Sequence, residues 1–194
     1  MKKEEQIAFF DNLAESWDSL HHPDPERLAC LAELCGIAPG ARLLYVACDT
    51  GTLIPYLLKK DPASILAVDY SPQMIRRAKE KLSDPRVTFL CTDTVDVGEQ
   101  DFDCAVIYGA FPHFENRGSI IRHMYRILSP QGRLMICHSE CRKNINAGHG
   151  ENIPAEITIP LPTGYILKKS LEDYFSVDIV VDTDKLYVVS GIKN

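Results

Sequence analysis

The stretch that most limits what this chain can fold into is Ala41-Arg-Leu-Leu-Tyr-Val-Ala-Cys-Asp-Thr-Gly-Thr-Leu-Ile-Pro-Tyr-Leu-Leu58. Leu43 to Ala47 is a short, almost wholly apolar run, the pattern of a strand buried on both faces of a parallel sheet. Cys48-Asp-Thr-Gly51 interrupts it with small and polar residues, and Leu53, Tyr56 and Leu57 then recur at helical spacing. Strand, tight turn and helix, in that order, is the context in which a turn presents backbone N–H groups and a helix N-terminus to a ligand.

The rest of the chain repeats that alternation. Ser64 to Asp69 is a second buried strand, ending in a carboxylate, and Ser71-Pro72 caps and starts a helix to about Leu82. Arg86 to Cys91 and Phe102 to Tyr108 read as the third and fourth strands. A helix is predicted over 117–128 with Ile120, Ile121, Met124, Ile127 and Leu128 inward, then a turn at Ser129-Pro-Gln-Gly132 and a fifth strand from Arg133 to Cys137. The pattern predicts an α/β fold, a mostly parallel sheet with helices on both faces.

Upstream, Ile7, Phe10, Leu13 and Trp17 predict one amphipathic helix over 4–20, closed by His21-His22-Pro23 as a surface turn. Asp24-Pro25 and Gly36 bracket a second helix over 25–35. Downstream, 139–163 is polar and proline-bearing. A short helix near 167–175 then leads into two strands, 177–181 and 186–190, joined by the tight turn Asp182-Thr-Asp-Lys185.

At 194 residues the chain suits one domain with a proper core. Its formal charge of −6 argues against nucleic-acid or anionic-membrane binding. No apolar run reaches the ~20 residues of a membrane span. Seven scattered cysteines suit a reducing compartment, the cytoplasm, better than a disulfide framework.

With these elements in place, Ala41–Leu58 resembles motif I of the class I S-adenosylmethionine (SAM)-dependent methyltransferases, usually acidic-x-Gly-x-Gly-x-Gly. Here Tyr45 stands at the acidic position, Ala47 at the first glycine and Asp49 at the second, and Gly51 is retained. Ala67-Val-Asp-Tyr-Ser-Pro-Gln-Met74 is similar to the family's motif II, and Phe102-Asp103 to its Phe-Asp at the start of the fourth strand. The closing hairpin matches a sheet whose last strand runs antiparallel. The resemblance covers roughly residues 38–138. It implies a Rossmann-like class I methyltransferase fold with seven strands and an antiparallel C-terminal hairpin. Its parts would be a helical cover (1–36), a cofactor-binding core (37–138) and a substrate-side loop with the hairpin (139–194). It also implies a bacterial-type enzyme, monomer or homodimer, that carries a methyl group from SAM to a small-molecule acceptor. The alternative is a non-catalytic binding protein on the same fold.

Asp69 lies eighteen positions after Gly51, near the spacing at which open α/β sites place a carboxylate on ribose hydroxyls. By the resemblance, Tyr70 and Met74 lie near the ribose or adenine. Asp93 lies near the adenine amino group with a backbone N–H from Thr94. Tyr45, Ala47, Cys48, Asp49, Gly51 and Tyr108 line the cofactor. In the family, a helix like 4–20 often closes over the cofactor, here with Phe9, Phe10 or Trp17 in contact.

His113, beyond the fourth strand, is either a general base or a packing residue. His138, Arg142, Asn146 and His149 follow steps of four, four and three, so one helical face can present them all to a substrate. Arg142 would suit a carboxylate or phosphate. The competing reading of that segment is a solvated loop. His113, His138, Cys141 and His149 match no standard zinc spacing, and no metal is expected.

The altered turn leaves two readings open. Ala47 costs little if its φ is negative, and Asp enters left-handed geometry readily. In one reading Asp49 takes over the pairing with the cofactor's ammonium group. In the other it obstructs the pocket or repels the cofactor's carboxylate, and the domain has lost or changed its ligand.

Overall fold

The computed structural model describes residues 3–98, 101–148 and 157–194. Seven strands form one sheet: β1 (Arg42–Val46), β2 (Ser64–Asp69), β3 (Val87–Cys91), β4 (Phe102–Tyr108), β5 (Leu128–His138), β6 (Phe175–Asp182) and β7 (Tyr187–Lys193). Their order is β3-β2-β1-β4-β5-β7-β6. The first five are parallel, and β7 runs antiparallel to both β5 and β6. Among the described residues no helix is long and apolar enough to cross a membrane.

The period of two along each strand separates two cores. Leu44, Val46, Ala105, Ile107, Leu134 and Ile136 face α6 (Arg117–Ile127) and α8 (Gly164–Leu171). Leu43, Tyr45, Ile65, Ala67, Val106 and Met135 face α3 (Pro25–Leu34) and α4 (Ile54–Leu58). Leu43 to Val46 are fully buried because β1 is central and covered on both sides. At the amino end of β1, Asp103 Oδ2 accepts the Arg42 N–H at 2.8 Å, a purely architectural contact.

Three expectations needed correction. The helix over 4–20 is two, α1 (Lys3–Leu13) and α2 (Trp17–Leu20), because the Ser16 N–H and hydroxyl both turn back to the Leu13 carbonyl, at 3.0 and 3.2 Å. The turn at 129–132 is a bulge within β5: Phe102 pairs with Leu128, but Cys104 pairs with Arg133. Gly132 is needed there, since a Cβ would lie 2.9 Å from the Ser129 carbonyl oxygen. The C-terminal helix begins earlier than its apolar spacing suggested, because Thr163 Oγ1 accepts the Ile166 N–H and caps Gly164–Leu171. Part of the polar segment is also helical, as α7 (Arg142–Gly148).

Candidate functional site

β1 is followed outward by β2 and β3 on one side, while β4 and β5 lie on its other side. The crevice beyond the carboxyl ends of β1 and β4 is therefore the switch point at which open α/β sheets bind ligands. A cavity of about 540 Å³ occupies it, within the ~300–1,000 Å³ typical of small-molecule sites.

The turn after β1 forms one wall. Ala47, Asp49 and Gly51 all have left-handed φ, at +48°, +47° and +85°. The condition of a negative φ is not met at Ala47, so its methyl is strained rather than innocuous. Gly51 suits its φ of +85°, and a Cβ there would have to displace Leu82 Cδ1, which lies 2.9 Å away. Asp49 tolerates its conformation by closing the turn with its own side chain. Its Oδ1 accepts from Gly51 N at 3.0 Å, Thr52 N at 3.5 Å and Thr52 Oγ1 at 3.2 Å.

Asp69 joins this turn to the next helix. Its Oδ2 accepts the Asp49 N–H at 3.0 Å, and its Oδ1 accepts the Ser71 N–H at 2.9 Å. Ser71 in turn caps α5 (Pro72–Lys81), its hydroxyl oxygen accepting from Met74 N at 3.1 Å. Burial and the neighbouring charge of Asp69 push the Asp49 carboxyl up to about 7. Burial, opposed by the two backbone N–H donors, leaves Asp69 raised to about 6.

The opposite wall comes from β4, β5 and the N-terminal cover. Tyr108 and Ser139 share a hydrogen bond of 2.8 Å. His113 Nδ1 lies 3.2 Å from the Ile157 carbonyl oxygen, so Nδ1 carries the proton in this contact. Phe10 packs edge-on against His113 and reaches Tyr70, with centroids at 5.2 and 6.2 Å. His138 sits buried at the end of β5, edge-on to Tyr187.

The cavity thus gathers Ala47, Asp49, Asp69, Tyr70, Met74, Tyr108, His113 and His138. Other expected residues are elsewhere. Tyr45 and Cys48 are fully enclosed in the α3–α4 core, Tyr45 because odd positions of β1 point to that face. Gly51 shapes the turn from behind it. Asp93 caps the short 3-10 turn Thr94–Asp96 and pairs with Lys3 at 2.6 Å, and Thr94 is buried; neither lines the cavity. Arg142 also faces away, its Nε donating to Asp182 Oδ2 at 3.1 Å.

The proposed face from 138 to 149 does not form, since β5 continues through His138 and α7 starts only at Arg142. Asn146 is held by the Leu161 backbone, and His149 lies outside the described residues. His21 and His22, exposed in the turn as expected, also line the cavity. His21 stacks on Trp17 at 4.0 Å, an i,i+4 pairing that the spacing contained. Among the described residues no group of three or more His, Cys, Asp or Glu is placed to hold a metal ion.

Residues 44–136 match the family model described as a methyltransferase domain. Over 95 residues the chain is 36% identical to malonyl-[acyl-carrier protein] O-methyltransferase of Priestia megaterium, covering 48% of this chain and 35% of that protein. Over residues 44–136 the chain thus resembles the SAM-dependent methyltransferases. Another relative, the ubiquinone/menaquinone biosynthesis C-methyltransferase UbiE of Geotalea daltonii, is 26% identical over 148 residues, 70% of this chain and 63% of that one. The curated methyltransferases are thus matched over only part of their length. The fold is shared with a SAM-dependent methyltransferase from Aquifex aeolicus, at a TM-score of 0.73 and 20% identity over 95% of this chain and 98% of that one.

The family's cofactor is SAM, and the residues present fit it. Asp69 uses one lone pair on each oxygen for backbone N–H groups and keeps others for a vicinal diol. Tyr70 and Met74 provide apolar surface beside it, and two carboxylates on the wall favour a cationic occupant.

Proposed function

We propose that this chain transfers a methyl group from SAM to a small-molecule acceptor held on the His113–His138 side of the cavity. The observation that carries this reading is the position of Asp69. It is tied to both the turn after β1 and the start of α5, and it faces a cavity whose far wall bears two imidazoles. Bound SAM supplies an electrophilic methyl group on a sulfonium, whose in-line displacement needs mainly alignment. Asp69 holds the ribose hydroxyls, Tyr70 and Met74 flank the nucleoside, and the Asp49 turn meets the amino-acid end.

His113 is the base of this scheme. Its imidazole lies on the cavity wall, with Nδ1 in contact with the Ile157 carbonyl, and an imidazole there can take a proton from a hydroxyl, thiol or amine. Among the described residues, the charged side chains on the cavity wall are the carboxylates Asp49, Asp69 and Glu140. Arg142 is engaged by Asp182, and Arg117 by the Phe111, Ile159 and Pro160 carbonyls. That balance favours an uncharged acceptor with a hydroxyl, thiol or amine over the acidic type named for the malonyl relative.

The test is S-adenosylhomocysteine (SAH) formation from SAM with a panel of phenols, thiols, amines and carboxylic acids, alongside calorimetric SAH binding. Turnover with an uncharged acceptor is the expected result. SAH binding without turnover on any acceptor overturns the enzyme reading in favour of a binding protein. His113→Gln should lower kcat by roughly 10²-fold or more, with SAH affinity unchanged.

A further inference from the structure

Building on the adenosyl-ligand reading above, we infer that Asp49 anchors the ammonium group at the amino-acid end of the bound ligand through Oδ2. It does so from a position where the family places glycine, in the stead of a carboxylate at position 45.

Tyr45 is unable to do so. Its ring is wholly enclosed on the α3–α4 side of the sheet, and its hydroxyl is buried with no hydrogen-bond partner among the described residues. The position has been given over to the core. Asp49 lies four residues on and stands on the cavity wall. Its left-handed backbone lets the carboxylate curl over its own turn, so that each of its side-chain hydrogen bonds ends on Oδ1. Curling back spends Oδ1 on the turn while the residue still stands on the cavity wall. Oδ2 has no hydrogen-bond partner among the described residues.

The charges around Asp49 leave a positive partner wanting. Asp69 faces it from β2, Tyr45 from β1, Tyr108 from β4, and Cys48 is its neighbour in sequence. Lys81 of α5 is the cation that acts on it, and Lys81 is itself held by Asp18 Oδ1 at 2.8 Å and Thr50 Oγ1 at 3.0 Å. Two neighbouring carboxylates, one of them accepting the backbone N–H of the other's residue, with Lys81 tied elsewhere, make a subsite that is electrostatically incomplete until a cation enters. An adenosyl amino acid offers hydroxyls to Asp69 and an ammonium to Asp49, while its own carboxylate is repelled from that corner. Because Asp49 is raised to about 7, pairing with an ammonium expels a proton at neutral pH.

The experiment is calorimetric titration with two probes, SAH and 5′-methylthioadenosine, which share the thioadenosine but differ in the amino-acid end. Wild type, Asp49→Asn and Asp49→Gly are compared from pH 6 to 8, in two buffers of different ionisation enthalpy. Asn keeps the turn, since its Oδ1 still accepts from Gly51 N and it tolerates the left-handed backbone. SAH should bind both variants roughly 10- to 100-fold more weakly, and 5′-methylthioadenosine within about twofold of wild type. In wild type, SAH binding should release part of a proton near pH 7 and strengthen as pH rises. Both effects should disappear in Asp49→Asn. SAH binding that is unchanged or tighter in either variant overturns the inference, as does equal weakening of both probes. If neither probe binds wild type, the adenosyl-ligand reading fails and this inference with it. If both bind and only the variant comparison fails, the adenosyl reading stands alone.

Discussion

Ala47, Asp49 and Gly51 reach the same left-handed backbone at three different costs. Gly51 has no Cβ to clash, Asp49 offsets the strain with its own turn bonds, and Ala47 has no compensation, at about 1–2 kcal/mol. Ala47→Gly should therefore stabilise the protein by about 1 kcal/mol after the extra freedom of the unfolded glycine is subtracted. Gly51→Ala should destabilise it by roughly 2 kcal/mol or more, from φ and the Leu82 contact together. Urea denaturation measures both, and opposite signs are the expected result. The titration of the site gives a second test. Asp49 and Asp69 are raised to about 7 and about 6, so the folded protein holds protons that the unfolded chain has released. The stability linked to them is complete below the unfolded carboxylate pKa and is lost as pH rises through 6 and 7. Asp49→Asn should flatten the fall in Tm between pH 5 and 8 of the ligand-free protein and raise Tm at pH 8. The comparison cancels other titrating groups, including His123, which burial pushes downward. Asp69 was legible in the sequence as a carboxylate ending an apolar run before Ser-Pro. The enclosure of Tyr45 was not, because a strand apolar on both faces does not say which face meets a ligand.

The N-terminal cover is held to the core by contacts of a different kind from those within it. Gln6 Nε2 donates to the His113 carbonyl at 3.1 Å, and Asp11 Oδ1 accepts from Ser71 Oγ at 2.5 Å and Gln73 N at 3.1 Å. Arg76 pairs with Glu15, and Asp18 with Lys81 and Thr50. Beneath this polar seam lies only a small apolar cluster of Phe10, Ala14, Met74 and Ile157. Elements with few buried apolar contacts open locally at low free energy. Phe10→Ala should therefore speed amide hydrogen exchange across α1 and α2 while leaving β1, β2 and β4 as protected as before. Uniform acceleration across the sheet would show instead that the cover is part of the global core. The apolar stripe Ile7, Phe10, Leu13 and Trp17 was enough to foresee a covering helix. The break after Leu13 was not foreseeable, because it depends on a serine choosing its own backbone over the helix ladder. That break is what swings His21 toward the cavity mouth.

Across the whole molecule, the strand–helix alternation from Leu43 to Cys137 made the sheet readable, since its strands are apolar runs and Ser71 and Asn116 cap α5 and α6. The site was less readable, because its walls come from segments a hundred residues apart that meet only at the switch point. The cysteines report on the same burial. Cys35, Cys48, Cys104, Cys137 and Cys141 are buried, whereas Cys30 and Cys91 are exposed. A thiol reagent at neutral pH should titrate two groups quickly in the native protein and all seven after denaturation. A rapid third reaction would mean that one core face opens readily. The order β5-β7-β6 has a different kind of consequence. The strand latest in sequence is an inner member of the sheet, flanked on both sides, so a chain cut before Tyr187 loses a middle plank and not a border. Both β5 and β6 would then present raw edges, an invitation to intermolecular pairing. Truncation products of this protein should accordingly be insoluble, and completeness of the polypeptide becomes the condition for its remaining dispersed.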